Sequence, residues 1–179
     1  MSIGDSEIKT QERVIRFFKD PEILGYQYIG NLSDYQNKNI KEDRLRQYLR
    51  LKGYADKLID AAVMQLQQEA GNLSRGVYDA NKTVYSRLKY GIPVSESPEK
   101  PPVTVELIDE ANPLNNDFAI AEEVTVVEQQ EKRPDLVIYL NGIAVAVIEL
   151  KRSSISVSEG IRQNLTNQKD SFIRGFFTT

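Results

Sequence analysis

Asp135, Glu149 and Lys151 are the residues of this 179-residue chain whose types and spacing point to chemistry. Two acidic residues on neighbouring strands whose Cα atoms lie roughly 7–8 Å apart can grip a hard cation between their carboxylates. A lysine beside them can face a water or a phosphate. The Leu150 carbonyl lies between the Glu149 and Lys151 side chains and offers a further oxygen ligand. Absences narrow the options. The chain has no histidine and no cysteine, which excludes a thiol nucleophile, a Ser-His-Asp triad, an imidazole base and zinc held by nitrogen or sulfur. Acid–base work falls to Asp, Glu, Lys and Tyr, and any metal must be held by oxygen, which favours Mg²⁺, Mn²⁺ or Ca²⁺. No G-x-x-x-x-G-K-[ST] is present, so this chain is not a P-loop ATPase.

The element that must position these groups is a hairpin. Two apolar, β-branched runs flank Asn141-Gly142 between Arg133 and Lys151, the strongest short-range hairpin signal. Charges sit only at its open end. A two-residue turn pairs Asp135 with Ile148 and puts it on the opposite face from Glu149. A three-residue turn with a glycine bulge pairs Asp135 with Val147, and Asp135, Glu149 and Lys151 then share a face. That register also collects Leu136, Ile138, Leu140, Ala144, Ala146, Ile148 and Leu150 on one apolar face, so the bulged turn is expected. Read from the residues alone, the alternative to a metal site is an edge salt bridge between Glu149 or Lys151 and a neighbouring strand.

The remaining elements follow from periodicity. Ser6 to Phe18 is an amphipathic helix with Asp5 or Ser6 as its cap and Ile8, Ile15 and Phe18 inward. Glu7 itself reads as a first-turn acid favoured by the helix dipole. Tyr26–Ile29 is a short strand. Helices are expected over 39–51 (Ile40, Leu45, Tyr48 and Leu49 inward), 55–70 (Leu58, Ile59, Ala62, Val63, Leu66 and Ala70 inward) and 77–90, the last closed by Gly91. Residues 93–102 form a turn-rich connector. Strands over 103–108 and 118–128 join the hairpin arms in a four-stranded, largely antiparallel meander. Ser156-x-x-Glu159 is a capping box opening a helix from Ser158 to about Arg174. In it Ile161, Leu165 and Phe172 form the apolar stripe, and Gln163, Asn167 and Arg174 line the polar side.

Forty per cent hydrophobic and 27% charged residues suit an ordinary globular protein. No run is long enough to span a membrane and no signal-peptide layout is present, so a cytoplasmic protein without membrane partners is expected. The net charge of −3 is unevenly spread. Residues 92–131 hold ten acidic and one basic side chain, while each flank is mildly basic. This neither excludes a nucleic-acid partner nor gives a basic footprint.

The order of helix, strands, hairpin with D…ExK and helix resembles the PD-(D/E)xK nuclease fold. The runs Asn116–Thr125, Arg133-Pro134-Asp135-Leu136-Val137, Asn141-Gly142-Ile143-Ala144, Ile148-Glu149-Leu150-Lys151 and Gly160–Gln168 resemble the N-terminal nuclease domain of type I restriction enzyme R (HsdR) subunits. The resemblance starts at Glu7-x-x-Thr10-Gln11 and spans nearly the whole chain. It implies an α/β (α+β) core, a mostly antiparallel or mixed sheet flanked by helices, in a single nuclease domain over 1–179. Residues 1–91 would be its mainly helical part and 92–179 its catalytic sheet and following helix.

The resemblance further implies Asp135 and Glu149 as metal-binding carboxylates, Lys151 as the catalytic lysine and Glu7 as the acid of the first helix that completes such sites. Gln163 matches the glutamine of a Q-x-x-x-Y motif, although Asn167 stands where that motif has tyrosine. The activity implied is Mg²⁺- or Mn²⁺-dependent hydrolysis of double-stranded DNA by a type I site-specific deoxyribonuclease, alongside modification and specificity subunits. ATP would be needed only by a translocase motor downstream. The apolar end at Gly175–Thr179 agrees with an N-terminal piece of a longer chain. Two other readings are a non-catalytic module docking a motor to its partners and a stand-alone resolvase-like or repair nuclease.

Overall fold

A computed structural model describes residues 7–151, 157–169 and 171–179. Asp5 and Ser6, the expected caps of the first helix, and Ser156 of the expected capping box lie outside the described residues. The chain divides into two compact units. One takes residues 1–38, 118–139 and 144–174, the other 39–117, 140–143 and 175–179. Among the described residues the architecture is mixed α/β, as expected, with helices beside a four-stranded mixed sheet and two small two-stranded sheets.

The first unit is built on the main sheet. Its strands are β1 (Gln27–Asn31), β4 (Phe118–Glu122), β7 (Leu136–Leu140) and β8 (Ile143–Ile148), in that spatial order. β1 runs parallel to β4, with Tyr28 opposite Ile120 and a shift in register before Asn31. Helix α1 (Glu7–Lys19) buries Ile15 against Ile120 and Leu136, with Phe18, Tyr26, Ile148 and Leu150 around them. The Tyr26 ring packs edge-on against Phe18 and stacks on Phe118, each at 5.1 Å. Ile8, expected inward, is 70% exposed, and Gln11 takes the buried place instead. The reason lies in polar partners on the sheet, described below. Val126–Val127 (β5) and Glu131–Lys132 (β6) form a short antiparallel hairpin.

The second unit packs α2 (Glu42–Leu51), α3 (Asp56–Gly71) and α4 (Val77–Tyr90) around one apolar cluster with β2 (Ile92–Val94) and β3 (Val103–Val105). The inward residues expected for α2 and α3 are all buried. Gly91 ends α4 with a φ of 73°, and a Cβ there would meet Val105 O at 2.8 Å. The expected four-strand meander does not form. Val103–Val105 pairs with β2 and leaves the main sheet, because Val105 and Leu107 are fully buried in the helical cluster. β1 occupies the edge beside β4 instead.

The hairpin turn also differs from expectation. Asn141 and Gly142 have φ values of 52° and 82°, the signature of a two-residue type I′ turn rather than a type I turn with a glycine bulge. Asn141 is fully buried. Its side-chain oxygen accepts the Asp117 N–H at 2.7 Å, and its amide donates to Leu107 O and Asn116 Oδ1, both at 2.8 Å. The Gly142 carbonyl accepts the Lys41 N–H at 2.7 Å. A Cβ on Gly142 would lie 2.6 Å from Lys41 O and 2.8 Å from Leu45 N, so only glycine admits the start of α2 at this distance. Beyond the turn, the in-and-out alternation of β8 breaks at Val145 and Ala146, both exposed. Leu136, Ile148 and Leu150 nevertheless share one cluster at the open end.

Candidate active site

Asp135 immediately precedes β7, and Glu149, Leu150 and Lys151 immediately follow β8. The strand ends meet through Asp135 Oδ2, which accepts the Leu150 N–H at 2.6 Å. The Asp135 carbonyl accepts the Glu123 N–H at 2.8 Å. Asp135 also lies near enough to Glu149 for its charge to act on that carboxyl.

Helix α5 (Val157–Asn167) closes one side. Gln163 Nε2 donates to Glu149 Oε2 at 2.7 Å. Glu149 Oε1 is buried and finds no hydrogen-bond partner among the described residues. Gly160 is buried against the same strand end, where an added Cβ would come 3.6 Å from Lys151 Cγ and 3.9 Å from Glu149 O. Lys151 Nζ stands 3.8 Å from Glu7 Oε1 at the start of α1, a loose ion pair. Glu7, Asp135, Glu149, Lys151 and Gln163 are thus brought together, with Leu150 as the backbone link.

The electrostatics follow from this crowding. Burial pushes the Glu149 carboxyl up to about 7, and the neighbouring Asp135 adds to the effect while Lys151 opposes it. Burial also raises Asp135, against the pull of the Leu150 N–H and Lys151. No three acidic side chains among the described residues converge as a ready-made cage. The donor set still fits a divalent cation. It is hard, made of oxygen and half-buried, and among the described residues Oε1 of Glu149 has no hydrogen-bond partner.

α5 is inverted relative to its expected stripe. Ile161 and Leu165 are 55% and 59% exposed, while Gly160 and Asn167 are buried and Gln163 reaches the carboxylate. A buried carboxylate needs a donor, and that requirement outweighs the burial of two aliphatic side chains. The helix stops at Asn167, short of the expected Arg174, and the Asn167 carbonyl accepts the Ile173 N–H at 3.1 Å. Arg174 begins a separate 3-10 segment.

Beside the site lies a network that the sequence analysis did not single out. Gln11 donates to Glu122 Oε2 at 2.9 Å and to Glu123 Oε1 at 3.3 Å. Tyr28 donates its hydroxyl to Glu122 and is pushed up to about 12 by burial and by that carboxylate. Arg133 Nε pairs with Glu123 Oε2 at 2.9 Å. Glu123 has a φ of 50°, a backbone state uncommon outside glycine. The consecutive glutamates at the end of β4 were a visible signal, but the sequence shows them only as part of an acidic block.

The sequence matches the family described as "Type I restriction enzyme R protein N terminus" over residues 6–179. The chain belongs to this family. A relative, the "Putative type I restriction enzyme MjaIXP endonuclease subunit" of Methanocaldococcus jannaschii, is 33% identical over 97 residues, half of this chain. The match covers 9% of that protein's length, so this R-protein N terminus corresponds to a small part of such a subunit. No helix among the described residues is long and apolar enough to cross a membrane.

Proposed function

We propose that this R-protein N terminus is the DNA-cutting part of a type I restriction enzyme, hydrolysing phosphodiesters of double-stranded DNA with a divalent cation. The observation that carries this reading is Glu149. Its carboxyl is half-buried beside Asp135 and pushed up to about 7, and one buried oxygen lacks a partner among the described residues. Asp135, Glu149 and the Leu150 carbonyl would hold Mg²⁺ or Mn²⁺. The chemistry such an ion supplies is polarisation of the scissile phosphate and acidification of a water.

The chain's own residues do the rest. Gln163 fixes one oxygen of Glu149 and so leaves the other for the ion. Lys151 orients the attacking water and offsets negative charge developing on the phosphorane-like transition state. Glu7, close to Lys151, holds the ammonium on that side of the site. The modification and specificity subunits deliver the DNA, and ATP serves a motor encoded elsewhere in the full enzyme, which works in the cytoplasm.

Asp135→Ala or Lys151→Ala in the assembled enzyme abolishes cleavage and leaves ATP hydrolysis and assembly intact. Cleavage that survives both changes would refute the site. A Mn²⁺ titration of this chain by calorimetry shows binding that Glu149→Gln removes, whereas a docking module gives no metal response dependent on Glu149.

A further inference from the structure

We propose that the exposed face of α4 binds single-stranded DNA. Tyr78, Lys82, Tyr85 and Lys89 recur at intervals of four, three and four residues. At about 100° per residue this places them within about 60° of arc, over about 16 Å of helix. Tyr78 is 77% exposed and Tyr85 61%, and both lysines are exposed. Tyr90, 68% exposed, lies outside this arc, about 100° around the helix from Lys89, whose ammonium is 5.4 Å from its ring centroid. No carboxylate interrupts this row.

The face is rigid. Ala80 and Val84 are buried on the opposite side, and Arg87 grips Glu69 of α3 with two hydrogen bonds of 2.8 Å. Large aromatic rings left in water on a fixed frame mark an interaction surface. Alternation with lysine selects the partner. Protein interface cores disfavour lysine, whereas a strand of nucleic acid offers base faces to stack on tyrosine and phosphates to meet the ammonium groups. Only a single strand exposes those base faces. α4 contributes nothing to the carboxylate site, so this inference stands apart from the cleavage reading.

The test is fluorescence anisotropy of this chain with a labelled oligothymidylate and with a duplex of equal length, across a salt series. The wild type binds the single strand more tightly. Tyr78→Ala and Tyr85→Ala each weaken it about tenfold, while Tyr78→Phe and Tyr85→Phe, which keep the ring, retain binding. Lys82→Gln with Lys89→Gln lowers the salt slope by about 0.7 for each lysine. Circular dichroism confirms that α4 stays folded in every variant. Strand binding that persists in EDTA, where the carboxylate site holds no metal, separates a failure here from a failure of the cleavage reading. The proposal is overturned by absent wild-type binding, by tyrosine variants of unchanged affinity, by preference for duplex, or by equal displacement with polyglutamate, which would assign the face to an acidic protein.

Discussion

Burial, with the negative charge of Asp135 beside it, pushes the Glu149 carboxyl from its ordinary value of 4.5 up to about 7. A carboxyl raised in the folded state keeps its proton longer than in the unfolded chain. Its contribution is therefore fully present below about pH 4.5 and is lost as the pH rises to about 7. Without metal, the melting temperature of the wild type falls relative to Glu149→Gln as the pH goes from 4.5 to 7.5. Added Mg²⁺ reverses that loss at pH 7.5 and does little at pH 5, where the proton competes. Parallel melting curves for the two proteins would contradict the burial argument. Gln163→Ala frees the second oxygen and loosens the carboxylate, so Mn²⁺ affinity measured by calorimetry drops by roughly tenfold or more. Asp135 and Glu149 were legible as a pair in the sequence. Gln11, Glu122, Glu123 and Arg133 were not, because their meeting depends on α1 lying across the ends of strands far away in the chain.

Two of the elements that departed from expectation, the hairpin and α5, did so for opposite reasons. In the hairpin, local chemistry prevailed over the pattern of side chains. Asn141-Gly142 takes the type I′ turn natural to that dipeptide, and the burial of β8 beyond it does not alternate. Gly142→Ala forces a side chain into positive φ and against backbone atoms 2.6 and 2.8 Å away, so urea denaturation is expected to show a loss of about 2 kcal/mol or more. A loss below about 0.5 kcal/mol, the range of neutral surface changes, would mean that the start of α2 yields freely. In α5 the tertiary setting prevailed over the local pattern. Ile161→Ser and Leu165→Ser should each change stability by no more than about 0.5 kcal/mol. A stripe buried as the periodicity suggests would cost about 2–5 kcal/mol on truncation.

At the scale of the whole molecule, Asp109 and Glu149 pull stability in opposite senses as acid is added. Asp109, buried in the second unit, is held down to about 2 by Lys52 Nζ at 2.8 Å, by the Asn115 amide and by the Asn112 N–H. A depressed carboxyl contributes stability above its unfolded value of about 3.9, and loses it as the pH falls toward 2. Hydrogen exchange resolved by peptide should show residues 39–117 opening between about pH 4 and pH 2, with Asp109→Asn flattening that response. Protection that is independent of pH in this window would remove Asp109 from the account.

The sequence by itself determined the helices of the second unit, the hairpin at Asn141-Gly142 and the oxygen-only donor set, because each rests on periodicity, turn chemistry or residue type within a short span. Only the tertiary structure decided that Val103–Val105 leaves the main sheet, that α5 turns its polar side to Glu149, and that one oxygen of Glu149 lacks a described partner. Those outcomes depend on which distant surfaces compete for the same burial, and a local pattern carries no record of that competition.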